Sequence, residues 1–292
     1  MQTKLLIRRY YDLKNSRVAH PSVAMAMAMK YILEKIEFQP LVHLRIKQDD
    51  HDSQILSYVQ PVIMADPYPE IRYLMIKDYY IMLGELTNLP PNVRALAAGY
   101  ILNRAHILRA YRCYKAVPHK SKASGQLDIF IFAVLLTRDK KNVKACVATV
   151  KQYIMYLQRY DYAMSNELII VAFGLALQFD SFQHHFMQRL LRKKDMLLAF
   201  GFSNRKTMYV LSSILTMADI THKNFINIML NYNDLQARQP FLVYKPITLL
   251  NSFQNTVHAV YSSKRNRLTP QQYEKVTTYI YVYQVLLAYT MH

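Results

Sequence analysis

The chain has 292 residues, 52% of them hydrophobic, with 5 Gly, 11 Pro and no Trp. That apolar content supports a sizeable core and excludes disorder as the overall state, and so little glycine favours helices over turn-rich β architectures. A formal charge of +18, from 37 Lys and Arg against 19 Asp and Glu, calls for an acidic partner such as nucleic acid, an anionic membrane surface or an acidic protein.

In chain order, residues 4–14 read as a short amphipathic helix with Leu5, Leu6, Tyr10 and Leu13 on its apolar stripe. Pro21 then opens a second helix over 21–36. The alternating Ala and Met there also suit a strand by period, but both are strong helix formers, and Lys30, Glu34 and Lys35 continue at helical spacing. Met25, Met27 and Met29 read as adaptable core filling. Between 38 and 60 the pattern is weakest, with Leu41, Val42, Leu44 and Ile46 fitting a short strand or the start of a helix. Asp49, Asp50, His51 and Asp52 form the densest cluster of metal-ligating or acid-base types. Contiguous residues do not all face one ion, so the expectation is an N-cap, Asp52 or Ser53, before a helix over 54–58.

Pro67 and Pro69 mark a turn and a helix start, and the helix over 71–86 is apolar on most faces, as expected of an interior helix. Residues 93–115 form the longest uninterrupted helical candidate. At 100° per residue, Arg94, Arg104, Arg109, Arg112 and Lys115 fall within an arc of about 140°, a basic stripe nearly 30 Å long with almost no acidic complement. That stripe is the sharpest expected partner-binding feature.

Residues 117–125, with Pro118 and Gly125, read as a linker between an N-terminal helical subdomain, 1–117, and a repeat region, 126–292. Beyond the linker come three helix pairs. Nearly all-apolar openers at 127–136, 167–177 and 207–217 alternate with amphipathic closers at 142–158, 182–198 and 222–235, about 40 residues from opener to opener. The second closer adds Arg189, Arg192 and Lys193 to the candidate partner-binding residues. His184 and His185 point about 100° apart and cannot chelate one ion unaided. A helix over 241–261, delayed or kinked by Pro246, a basic loop at 262–267 and a Tyr-rich helix from 271 complete the chain, the last expected as a closing cap. The fold class is therefore all-α: stacked antiparallel helix pairs forming a HEAT-like α-solenoid or compact helical array.

The apolar runs FIFAVLL and LIIVAFGLAL, with residues 143–156 between them, resemble a family of all-helical proteins of similar length from low-GC Gram-positive bacteria, classified as a domain of unknown function. The resemblance implies a cytoplasmic helical protein and carries over no functional residue.

No GxGxxG, GxxxxGK[ST], GxSxG or HExxH motif occurs, and Cys113 and Cys146 lack any metal-ligand spacing. The N-terminus carries charge from Lys4 onward and reads without a signal peptide, and no apolar run approaches the roughly 18 residues needed to cross a bilayer. The expectation is a cytoplasmic, non-enzymatic scaffold without cofactor or metal. Its basic helical face and the concave side of the stack would hold an acidic protein or peptide. Nucleic acid, bound by the same Arg and Lys positions with exposed Tyr, is the alternative.

Overall fold

The computed structural model describes residues 2–16, 19–37, 50–118, 128–139, 142–160, 164–179, 181–239, 241–263 and 268–290, without the side chains of residues 50–54 and 205. Every regular element among them is an α-helix. In order they are α1 Gln2–Asn15, α2 Pro21–Leu33, α3 Asp50–Met64, α4 Pro69–Leu86, α5 Pro91–Tyr100, α6 Arg104–Ala116 and α7 Phe130–Arg138. The second half holds α8 Val143–Gln158, α9 Asn166–Gln178, α10 His184–Ala199, α11 Arg205–Met217, α12 His222–Gln236, α13 Lys245–Tyr261 and α14 Pro270–Thr290. The helices fall into two compact units: Met1–Ile101 with Asn224–Ala259 and Tyr281–His292, and Leu102–Lys223 with Val260–Ile280. The linker expected at 117–125 falls within the second unit, and its residues 119–125 lie outside the described ones, as do residues 264–267 of the basic loop expected at 262–267 and residues 38–49, where a short strand or a helix start was expected.

The first unit is organised around α2, whose residues from Ser22 to Tyr31 are all buried. Met25 and Met27 have no exposed surface, so the alternating Ala and Met run is core on every side. Asn251 on α13 donates to the Met25 carbonyl (3.4 Å) and accepts from Gln284 Nε2 on α14 (2.9 Å), so polar contacts join α2, α13 and α14 inside this core. Lys35, at φ 52°, ends α2 in the left-handed conformation, and the Ile36 N–H reaches back to the Tyr31 carbonyl (3.0 Å).

Two expectations in this unit are corrected. Helix α3 begins at Asp50 and runs through Pro61, so Asp52 and Ser53 lie inside it and do not cap it. Asp49 and the side chains of residues 50–52 lie outside the described residues. Helix α4 is not an interior helix: it packs on α3 and α5 through Tyr73, Ile76, Tyr79, Tyr80 and Leu83, and leaves Ile71 (59%), Leu74 (60%) and Ile81 (48%) exposed.

The second unit is layered. The middle layer is α7, α9 and α11, with α9 against both of the others. Every residue of α9 from Leu168 to Gln178 is buried, which explains a sequence apolar all round. One side is covered by amphipathic helices, since α6 packs on α7, α8 on α9 and α10 on α11. The other is covered by residues 270–280 of α14. There Tyr279, fully buried, bonds the Ile170 carbonyl (3.2 Å) and Ser213 Oγ (3.3 Å) and packs on Phe132 (5.4 Å between ring centres). Gly174 makes room for the Tyr279 ring, because a Cβ there would sit 2.7 Å from its Cε2.

The repeat therefore has the opposite phase to the one expected. Each amphipathic helix pairs tightly with the apolar helix that follows it, giving hairpins α6–α7, α8–α9 and α10–α11, whereas α7 and α8 barely touch. Helix α14, expected as a closing cap, is shared between the units: its first part packs on the middle layer through Tyr279, and its second part belongs to the first unit.

Candidate functional site

The expected continuous helix over 93–115 is broken at 101–103, and side chains on both sides fix the break. Arg72 donates to the carbonyls of Gly99 (2.6 Å) and Ile101 (3.5 Å), satisfying acceptors left over at the end of α5. Asn103 caps α6 by accepting the His106 N–H (2.9 Å). The His106 ring accepts the Leu102 N–H at Nδ1 (3.2 Å) and donates from Nε2 to the Val134 carbonyl of α7 (3.0 Å). Burial, reinforced by Arg109 and Arg138 nearby, lowers its pKa to about 4, so it is neutral at pH 7.

This break separates Arg94 from the stripe. Arg94 belongs to α5 in the first unit, where its half-buried guanidinium lies over the Tyr80 ring (4.7 Å to the centre) and across Gly84. Arg104, Arg109, Arg112 and Lys115 remain together on α6, Arg109 half-buried and the other three exposed. On α10 the three expected residues divide. Arg192 is exposed, whereas Arg189 pairs with Asp219 and Lys193 donates to the Ile220 carbonyl, fastening α10 to the end of α11. Burial and then Arg189 lower the Lys193 pKa, with Asp219 opposing.

Sequence reasoning missed the contribution of α8. Lys144 and Lys151, seven residues apart, and Arg159 at the helix end share one exposed face. A spacing of two helical turns was the available signal. Only one acidic residue, Asp195, stands in α6, α8 and α10 together. Arg104, Arg112, Lys144, Lys151, Arg159 and Arg192 have no acidic partner among the described residues.

Apolar groups are set into this basic layer. Leu108 (48% exposed) lies mid-arc between Arg104 and Arg112, and Met155 (58%) lies among Lys144, Lys151 and Arg159. At the α8 to α10 junction Tyr156 stacks on Tyr160 (5.0 Å) and its hydroxyl meets His184 Nε2 (3.0 Å). Burial raises the Cys113 thiol to about 12, which makes it inert as a nucleophile. Among the described residues no group of three or more His, Cys, Asp or Glu is arranged to hold a metal ion, and no helix is long and apolar enough to cross a membrane. No protein-family model, curated protein or solved structure matches the chain.

Proposed function

We propose that the protein is a non-enzymatic cytoplasmic scaffold whose α6, α8 and α10 layer holds an acidic, amphipathic protein or peptide. The observation that carries this reading is the placing of exposed Leu108 and Met155 inside arcs of unpaired Arg and Lys. A phosphate backbone takes up positive charge and leaves such aliphatic groups bare, whereas a helix with one apolar and one acidic face covers both. Helix α6 keeps four of the five basic residues of the expected stripe, and α8 widens it.

The test is fluorescence anisotropy with a labelled Leu/Glu amphipathic peptide and, separately, a labelled single-stranded oligonucleotide, each at low and physiological salt. Peptide binding that weakens on Arg112→Glu or Lys151→Glu, with little oligonucleotide binding, supports the reading. Tighter oligonucleotide binding with a steep log-log salt dependence would replace it with nucleic-acid recognition, Tyr160 then offering a ring on which a base stacks. No binding of either probe at low salt overturns both.

A further inference from the structure

The exposed face of α4 is the chemical counterpart of α8. Projected at 100° per residue, Glu70, Leu74, Asp78, Ile81 and Glu85 fall within about 80° of one another, all exposed. None of the three carboxylates has an ion-pair partner among the described residues. The two cations of α4 stand outside this arc and are half-buried, Arg72 being committed to the Gly99 carbonyl. In a chain of net charge +18, an acidic and apolar helix face left exposed among the described residues is the exception.

The spacing identifies an occupant. Glu70, Asp78 and Glu85 are separated by 8 and then 7 residues, and Arg159, Lys151 and Lys144, read backwards along α8, are also separated by 8 and then 7. Two antiparallel helices share one rise of about 1.5 Å per residue, so all three opposite-charge pairs come into register together. The same register sets Leu74 against Met155 and Ile81 against Ala148, a large side chain and a small one each meeting an apolar neighbour. An anionic bilayer or a nucleic acid would be repelled by these carboxylates, so neither fits the α4 face.

We propose that a second copy of this chain is the acidic partner, its α4 docking antiparallel on α8 with Glu70, Asp78 and Glu85 opposite Arg159, Lys151 and Lys144. This rests on the reading of the basic layer as a site for an acidic amphipathic helix, and it names the helix. Repulsion between two strongly positive chains opposes the contact, but at physiological salt it is screened beyond about 8 Å, whereas the pairs lie within that distance.

Sedimentation velocity on the full chain, over a concentration series at physiological salt, tests it. The unaltered protein self-associates with concentration. Asp78→Lys alone and Lys151→Glu alone each weaken association by roughly tenfold, since an attractive pair becomes a repulsive one. Mixing the two variants restores it, because Lys at 78 then faces Glu at 151 and the native Asp78 of one chain faces the native Lys151 of the other. Both substitutions are at exposed positions, and unchanged helical circular dichroism confirms that the variants fold. A protein monomeric throughout the series, or variants whose mixture associates no better than either alone, overturns the proposal. The Leu/Glu peptide assay still decides the basic-layer reading in that event, so the two failures are told apart.

Discussion

His106 gives the sharpest quantitative prediction. Its ring bridges the break between α5 and α6 to α7 only while neutral, because Nδ1 must accept the Leu102 N–H. Burial lowers its pKa from 6.5 to about 4. Between these values the unfolded chain binds a proton that the folded chain refuses, so stability is full above about pH 6.5 and declines as the pH falls toward 4. At 1.36 kcal/mol per unit the whole shift corresponds to about 3 kcal/mol, of which about 2 kcal/mol is lost between pH 7 and pH 5. The variant His106→Gln retains a donor toward the Val134 carbonyl and has no titration, so it isolates this term from the other nine histidines. Urea unfolding followed by helical circular dichroism should show the native chain losing about 2 kcal/mol more than the variant over that range. The imidazole should titrate near pH 4 by NMR. A ring titrating near 6.5, or equal losses in the two proteins, would refute the argument.

Gly174→Ala should destabilise the second unit by about 1 to 2 kcal/mol: the new methyl sits 2.7 and 2.8 Å from two carbons of the buried Tyr279 ring, and the gain in helix propensity offsets only part of the strain. In a Tyr279→Leu background the same change should be close to neutral, which a double-mutant cycle by thermal unfolding reads directly. Asn103→Ala removes the cap of α6 and should cost about 1 kcal/mol by the same measurement. Lys35→Gly should raise the stability of the first unit by about 1 kcal/mol, since the exposed Lys35 holds φ 52° at the end of α2, where glycine carries no steric penalty. Arg112→Glu should weaken Leu/Glu peptide binding with no change in melting temperature, because its side chain is exposed and unpaired.

Much of the site was legible and some of it was not. The cations of α6 were visible as a stripe because helical periodicity alone brings 104, 109, 112 and 115 to one side. Arg94 was misplaced because the break beyond Tyr100 depends on Arg72, which stands 27 and 29 residues before the carbonyls it binds. Lys144 and Lys151 were too sparse to register as a stripe, and only the packing of α8 beside α6 makes them part of a common basic layer. The roles of Arg189 and Lys193 were hidden for the same reason, since their partners, Asp219 and the Ile220 carbonyl, lie at the end of another helix.

The sequence by itself determined the all-α class and where most of the described helices run, because backbone hydrogen bonding, caps and prolines act over four residues or fewer. It also marked α7 and α9 as nearly all-apolar, and the structure buries both almost throughout, since an all-round apolar helix has no wet face. Only the tertiary structure decided the phase of the hairpins: amphipathicity says that a helix has a partner but not whether the partner precedes or follows it. The same holds for α14, whose Tyr279 is buried against the Ile170 carbonyl of the middle layer, and for α4, whose apolar residues stay exposed because its neighbours cover one side of it. Such pairings are made between residues far apart in the chain, and no local pattern encodes them.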